Sequence, residues 1–324
     1  MKAMVYTEYG PPEVLQIKEV EKPTPKDHEV LVKVQAASVN FSTLHLVTGK
    51  PFVVRTMGGG LQKPSHPIPG NDIAGRVEAV GKNVRQFRPG DEVFGDLADY
   101  GFGAFAEYVA VPETALALKP ANLSFEEAAA VPEAGLVALQ GLRDKGHIQP
   151  AQKVLICGAS GGIGTFAVQL AHHFGADVTA VCSARNFDLV RSLGAKQVID
   201  YTQEDFAQNN PRYDLILATA GDRSLFDYRR ALSPKGIYVV TGGSMSQLFQ
   251  AMLLGPFVSL IGSKKLGILS VKPNQDLVLM KDLLEAEKVK PVLDRCYPFS
   301  AIPEALRYYG EGHARGKVVI AVGG

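Results

Sequence analysis

The sequence predicts an α/β protein of two domains, a doubly wound parallel sheet preceded by a β-rich domain. Three observations predict it. From residue 153 onward, apolar runs alternate with helical stretches, the pattern of successive βαβ units. The first 120 residues hold 11 of the 20 prolines, among short alternating runs and turn signals. Between these regimes stands Gly158-Ala159-Ser160-Gly161-Gly162-Ile163-Gly164, directly after an apolar run and directly before a helical pattern.

The elements follow in order. Met1-Lys2-Ala3-Met4-Val5-Tyr6 reads as a strand and lacks the apolar centre of a signal peptide. Residues 29–36 alternate, and Pro11-Pro12, Gly81-Lys82-Asn83 and Pro89-Gly90-Asp91 mark turns. Ser124 with Glu127 fits a capping box, and Pro132 interrupts the helix it would start. Strands are expected at 153–157, 177–182, 197–199, 213–219, 236–241 and 265–271, with helices such as 185–193 and 224–232 between them. An amphipathic helix at 275–286 leads to β-like segments at 291–299 and 317–322, which return to the first domain. The expected domains are therefore 1–122 with 273–324, and 123–272.

Composition narrows the function. Hydrophobic content of 46% and charged content of 21% are ordinary for a globular chain with a real core. A formal net charge of +1 offers no pull toward nucleic acid, so no nucleic-acid partner is expected. No apolar run reaches 18 residues, and Gly255-Pro256 interrupts the stretch 252–261, so no membrane span is expected. Cys157, Cys182 and Cys296 are too few and scattered for a disulfide framework, which suits a reducing cytoplasm. Cys157 and Cys182 end apolar runs and read as inert core thiols.

The glycine segment carries chemistry. Without Cβ atoms its backbone N–H groups can approach a pyrophosphate, and the following helix turns its positive end toward the anion. Ser160, Gly161, Gly162, Ile163 and Gly164 are the candidate pyrophosphate contacts, with an ordinary tight turn as the alternative. The next apolar run ends in Ser183-Ala184-Arg185-Asn186, with no Asp or Glu. In a dinucleotide fold that end lies beside the adenosine ribose, where an acid accepts from a free 2′-hydroxyl and Arg suits a 2′-phosphate. Ser183 and Arg185 are thus the candidate phosphate readers, and NADPH is the expected cofactor. A solvated basic residue near a helix start is the bland reading of Arg185.

Taken in order, several motifs resemble the medium-chain dehydrogenase/reductase superfamily, most closely its zinc-free quinone oxidoreductase branch. They are Val39-Asn40, Pro69-Gly70-Asn71-Asp72-Ile73-Ala74-Gly75, Gly90-Asp91-Glu92-Val93-Phe94-Gly95, Ala106-Glu107-Tyr108, the glycine segment, and Gly312-His313-Ala314-Arg315-Gly316-Lys317. The resemblance spans the chain. It implies a GroES-like β-rich domain, a Rossmann domain and a nicotinamide cofactor. It also implies that Tyr201 packs near the adenosine phosphate, that Gly242 and Gly243 meet the nicotinamide half, and that Lys317 reaches the cofactor or its cleft. Asn40 becomes the first choice for a polar group on the substrate side. Thr43 is the second catalytic candidate, although it stands where relatives commonly carry Asp, which removes a carboxylate there. Val137 and Ala218 replace the usual Thr and Asp, implying a less polar nicotinamide environment.

No metal is expected. Zinc-dependent relatives carry a Cys where this chain reads Ala37-Ser38-Val39-Asn40, and a Gly-His-Glu where it reads Gly70-Asn71-Asp72. A carboxamide is a poor zinc ligand, and the four-cysteine structural lobe is missing. The resemblance therefore implies hydride transfer from NADPH to a quinone or an α,β-unsaturated carbonyl. Donors such as the Asn40 amide, a backbone N–H or a water would meet the charge developing on the substrate oxygen. No secure general acid is legible, so solvent is expected to supply the proton. An enoyl-thioester or alkenal reductase and a non-catalytic NADPH-binding protein are the alternatives. A homodimer formed along the sheet edge near residues 236–241 is a further expectation from the resemblance. The glycines at 58–60 and 101–103 read either as a substrate mouth or as plain surface turns.

Overall fold

The computed structural model describes residues 1–208, 212–221, 223–243 and 245–323, with side chains omitted for 57, 58, 245, 246 and 256–261. The chain divides into two compact units. One holds Met1–Glu133, Lys272–Ala286 and Pro291–Gly324, and the other Ala134–Val271 with Glu287–Lys290. The first division thus falls inside a helix at 133/134, eleven residues beyond the expected 122/123. Ser124 does cap a helix, with Glu127 completing the box, but that helix is the short Phe125–Ala129 (α2). Pro132 opens the next helix, Pro132–Gln140 (α3), instead of breaking the first. Residues 287–290 return to the second unit through Gln169, whose amide bonds both the carbonyl and the N–H of Lys290 at 2.9 and 3.0 Å.

In the first unit, Glu29–Val39 (β3) is the spine of a seven-stranded sheet. It pairs antiparallel with Lys317–Ala321 (β15), Asp72–Val80 (β4) and Tyr108–Pro112 (β6). Glu92–Asp96 (β5) extends the sheet from β4, and Leu293–Pro298 (β14) from β15. Val30, Val32, Val34, Ala37 and Val39 of this strand are all buried, while Lys33 is exposed. The helix Phe41–Thr48 (α1) starts directly after β3.

In the second unit, six parallel strands run side by side in the order 197–200, 177–182, 153–157, 213–218, 232–240 and 265–268. They are Lys153–Cys157 (β8), Asp177–Cys182 (β9), Gln197–Asp200 (β10), Tyr213–Ala218 (β11), Leu232–Val240 (β12) and Lys265–Ile268 (β13). The chain leaves β8 toward β9 and β10, then returns to the other side of β8 for β11. That reversal makes the C-terminal end of β8 the topological switch point, where such sheets bind ligands. Val154, Leu155 and Ile156 have no exposure, as a central parallel strand requires. The helix Gly162–His173 (α4) buries Phe166, Ala167, Leu170 and Ala171 against this sheet. Three helices escaped the sequence reading, Phe41–Thr48, Ile302–Gly310 and the longest, at 245–261. Met245–Ile261 (α7) runs through Gly255-Pro256 as a 17-residue helix. Among the described residues no helix is long and apolar enough to cross a membrane.

Candidate functional site

The turn after β8 is built to receive something. Gly158 holds φ of 78°, which only glycine adopts without strain. A Cβ on Gly164 would stand 2.0 Å from the Gly158 carbonyl oxygen, so that glycine lets α4 pack on the turn. Gly161 differs from both. Its φ of −82° is ordinary, and a Cβ there would meet nothing nearer than 3.5 Å. Packing within the protein gives no steric reason for glycine at 161, and a closely approaching ligand does. Gly161 is also the N-cap of α4, makes no side-chain cap, and no acid lies in the first turn. The leading N–H groups and the positive helix end are left to an anion. A dinucleotide pyrophosphate fits this cradle.

The end of β9 joins the turn through a residue that sequence reasoning passed over. Asn186 is 3% exposed, and its Nδ2 donates to Ser160 Oγ at 2.9 Å and to Ser183 Oγ at 3.2 Å. Its Oδ1 is buried with no partner among the described residues. Nothing marked Asn186 in the sequence, because its partners lie on two different loops. Arg185 and Tyr201 are exposed, Tyr201 just beyond β10 with 56% of its surface free. Gly242 and Gly243 follow β12, and each has a packing reason of its own. A Cβ would lie 2.6 Å from the Thr219 carbonyl oxygen at 242 and 2.4 Å from Gln247 Oε1 at 243. Burial pushes the Cys157 thiol up to about 12 and the Cys182 thiol up to about 11, so neither is a thiolate at neutral pH.

The first unit holds a different cluster. Asn40, Thr43 and Lys317, separated by up to 277 positions, meet around Asn71 and Asp72. Lys317, 2% exposed, donates to Asn40 Oδ1, and its Nζ lies 3.5 Å from Asp72 Oδ2. Asn40 Nδ2 donates to Asp72 Oδ2 at 2.8 Å and to Asn71 Oδ1 at 3.2 Å. Thr43 Oγ1 donates to Asn71 Oδ1 at 3.0 Å, and Ser38 Oγ to Asp72 Oδ2 at 3.0 Å. Asn71 Nδ2 in turn donates to Glu133 Oε2 at 2.8 Å and Asp96 Oδ1 at 3.0 Å. This geometry corrects one expectation. Both Asn40 N–H bonds are spent inside the protein, so Asn40 has none for a substrate oxygen. Turning its amide over would face Nδ2 to an ammonium and Oδ1 to a carboxylate, so the neighbours fix its orientation.

Three buried carboxyl groups gather here, and the Lys317 ammonium acts on Asp72 and Glu133. Burial pushes Asp96 up to about 8, with Asp72 and then Glu133 adding to the rise. Burial also raises Glu133, helped by Asp72 and opposed by Lys317. Asp72 is lifted by burial as well, but Lys317 and hydrogen bonds from Asn40, Ser38 and the Glu133 N–H hold it back. Asp72 is therefore the acid best placed to carry the negative charge. Asn71 and Asp72 lie in a motif the sequence displays, whereas Asp96 and Glu133 sit 25 and 62 positions from Asn71 and carried no signal. His45 packs edge-on against Phe41, and His66 lies beside Phe102. Among the described residues no three His, Cys, Asp or Glu side chains are set to hold a metal ion. The glycine loop 58–60 is tied down, since Tyr9 Oη donates to the carbonyls of Gly59 and Gly60.

A doubly wound parallel sheet with a glycine cradle at its switch point, and a separate antiparallel β-unit in the same chain, define a two-domain nicotinamide-type oxidoreductase. Residues 26–121 match the alcohol dehydrogenase GroES-like domain, and residues 193–320 match the zinc-binding dehydrogenase domain. The chain belongs to the medium-chain dehydrogenase/reductase superfamily and is quinone oxidoreductase-like. It is 36% identical to the 2-methylene-furan-3-one reductase of Solanum lycopersicum, over 99% of this chain and 79% of that protein. It is 33% identical to the chloroplastic NADPH-dependent alkenal/one oxidoreductase of Arabidopsis thaliana, again over 99% of this chain and 79% of the other. The solved quinone oxidoreductase of Coxiella burnetii superposes with a TM-score of 0.89 at 29% identity, covering 99% of both chains.

Proposed function

We infer that the protein transfers hydride from NADPH to a quinone or an α,β-unsaturated carbonyl without zinc. The observation that carries this reading is Gly161, a glycine that no packing contact requires, capping a helix whose first turn holds no acid. The cofactor would supply a hydride from C4 of its nicotinamide ring. In this reading Ser160 and residues 161–164 hold the pyrophosphate, Ser183 and Arg185 take the 2′-phosphate, and Tyr201 packs on the adenosine side. Residues 242 and 243 shape the nicotinamide half. Relatives named for quinones and for alkenals and enones support the substrate class.

Asn40 and Thr43 enter as positioning residues. They lock Asn71 and hold Lys317 against Asp72, so the oxygen of the substrate must meet a backbone N–H or water instead of the Asn40 amide. Asn71 makes the same point about zinc. It stands at the expected histidine position, its amide hydrogens go to carboxylates, and its carbonyl oxygen accepts from Asn40 and Thr43.

Consumption of NADPH with 9,10-phenanthrenequinone, and with a panel of enones, tests the activity. It is expected to persist after exhaustive chelation; loss with EDTA and recovery with zinc would refute the metal-free reading. Tight NADPH binding with no turnover on either class would leave a binding protein in its place. Arg185→Glu tests the cofactor choice. A hydrogen bond to a charged group is worth about 1.5–3 kcal/mol, so the NADPH-over-NADH ratio of kcat/KM should fall about tenfold or more.

A further inference from the structure

We propose that Asn186 is a positioning residue that turns the hydroxyl hydrogens of Ser160 and Ser183 outward, making both serines donors to the phosphates of a bound dinucleotide. The part concerning Ser183 rests on the NADPH reading above; the part concerning Ser160 needs only a pyrophosphate.

The geometry is one amide serving two hydroxyls. A serine hydroxyl has a single hydrogen and two lone pairs. Asn186 Nδ2 has two hydrogens, and its two acceptors are Ser160 Oγ and Ser183 Oγ. Each serine thus receives a hydrogen bond from the protein and keeps its own hydrogen. Neither hydroxyl donates to a protein acceptor among the described residues, and both serines are partly exposed while Asn186 is buried. Ser160 stands in the turn after β8 and Ser183 just past β9, its neighbour in the sheet. One buried amide therefore sets the donor direction at two places along a phosphorylated ligand. The bare, buried Asn186 Oδ1 marks the same spot as incomplete, because buried polar atoms in finished structure are almost always paired. The residue type matters. A carboxylate of the same shape would accept from both serines, turn their hydrogens inward and set a negative charge beside the phosphates.

Calorimetric titration of the full-length protein with NADPH and NADH tests this in a double-mutant cycle. Ser160→Ala and Ser183→Ala are each expected to weaken NADPH binding, as donors to phosphate must. Asn186→Ala should raise the NADPH Kd about tenfold or more in the parent protein, and less than about threefold in the Ser160→Ala/Ser183→Ala background. NADH, which lacks the 2′-phosphate, should register Asn186→Ala through Ser160 only. Equal losses in both backgrounds would overturn the proposal, as would serine variants without effect, or an Asn186→Ala protein that binds like the parent. Should Asn186→Ala fail to fold, Asn186→Asp keeps the shape. Its loss should shrink in the background lacking both hydroxyls, and a loss of undiminished size there refutes the proposal. A parent protein that binds NADH as tightly as NADPH defeats the NADPH reading alone. The coupling of Asn186 to Ser160, measured with NADH, then still decides this inference.

Discussion

The polar cluster around Asp72 and the glycine turn after β8 use hydrogen-bonding groups in opposite ways. Around Asp72 the groups close on one another. Both Asn40 N–H bonds, the Asn71 amide, the Thr43 and Ser38 hydroxyls and the Lys317 ammonium all have partners within the unit. In the turn they are left open. The first turn of α4 has no side-chain cap, two serine hydroxyls keep their hydrogens, and Asn186 Oδ1 has no partner among the described residues. Closed and buried groups hold a fold together; open groups beside solvent are completed by a ligand. By that criterion the Asn40 and Thr43 side chains, the catalytic candidates of the sequence, are bonded as scaffold groups are.

The largest expected effect comes from Lys317→Met. It removes the ammonium that lies 3.5 Å from Asp72 and opposes the rise at Glu133, leaving buried acid without its partner. Breaking a buried pair in this way costs about 3–5 kcal/mol, to be read from urea unfolding. The NADPH Kd of the folded protein should stay within about twofold of the parent. A stable Lys317→Met protein with badly weakened cofactor binding would reverse the comparison and return Lys317 to the cofactor.

Two glycines of one turn sharpen the contrast. Gly164→Ala drives a Cβ to 2.0 Å from the Gly158 carbonyl oxygen, which forces the backbone apart. Overpacking of this kind costs about 1–3 kcal/mol, measurable as a lower Tm. Gly161→Ser should do the reverse. Serine is a favoured N-cap, so α4 keeps or gains stability, while the added side chain fills the cradle and raises the NADPH Kd about tenfold or more. Weak binding is meaningful only if thermal stability holds. A Gly161→Ser protein that binds NADPH like the parent would show that no phosphate approaches there.

Much of this was legible in the sequence, for physical reasons that also set the limit. A strand buried on both faces announces itself as an unbroken apolar run, and 153–157 and 177–182 read correctly on that basis. Gly158 to Gly164 stood out because backbone approach needs glycine wherever it occurs. The helix Met245–Ile261 was lost because Gly255-Pro256 reads locally as a stop. The partners in the Asp72 cluster were lost for another reason. Asn40, Asp96, Glu133 and Lys317 come from four separate elements, and only the folded sheet brings them together. Hydrogen-bond direction is a property of neighbours, so the spending of the Asn40 amide was beyond any motif.

A pH-dependent effect concerns proton count in the closed cluster. Asp96 is 3% exposed, and its Oδ1 accepts from Asn71 Nδ2 and from the Ala98 N–H, both of which an asparagine could satisfy. Its carboxyl titrates at about 8 in the fold, against about 3.9 in an unfolded chain. Between those values the folded state holds a proton that the unfolded state has released. The stabilisation is complete below the unfolded value and is lost as pH rises through the folded one. The parent should therefore lose stability from about pH 5 to pH 8, by at most about 1.4 kcal/mol per pH unit for one proton. Asp96→Asn has no proton to lose there, so its stability curve should be flatter, with the two diverging as pH climbs. Urea unfolding of both proteins at intervals across that window measures the difference. Parallel curves would mean that Asp96 is already ionised in the fold. The cluster would then hold more negative charge than Lys317 can balance, and a closed scaffold would no longer describe it.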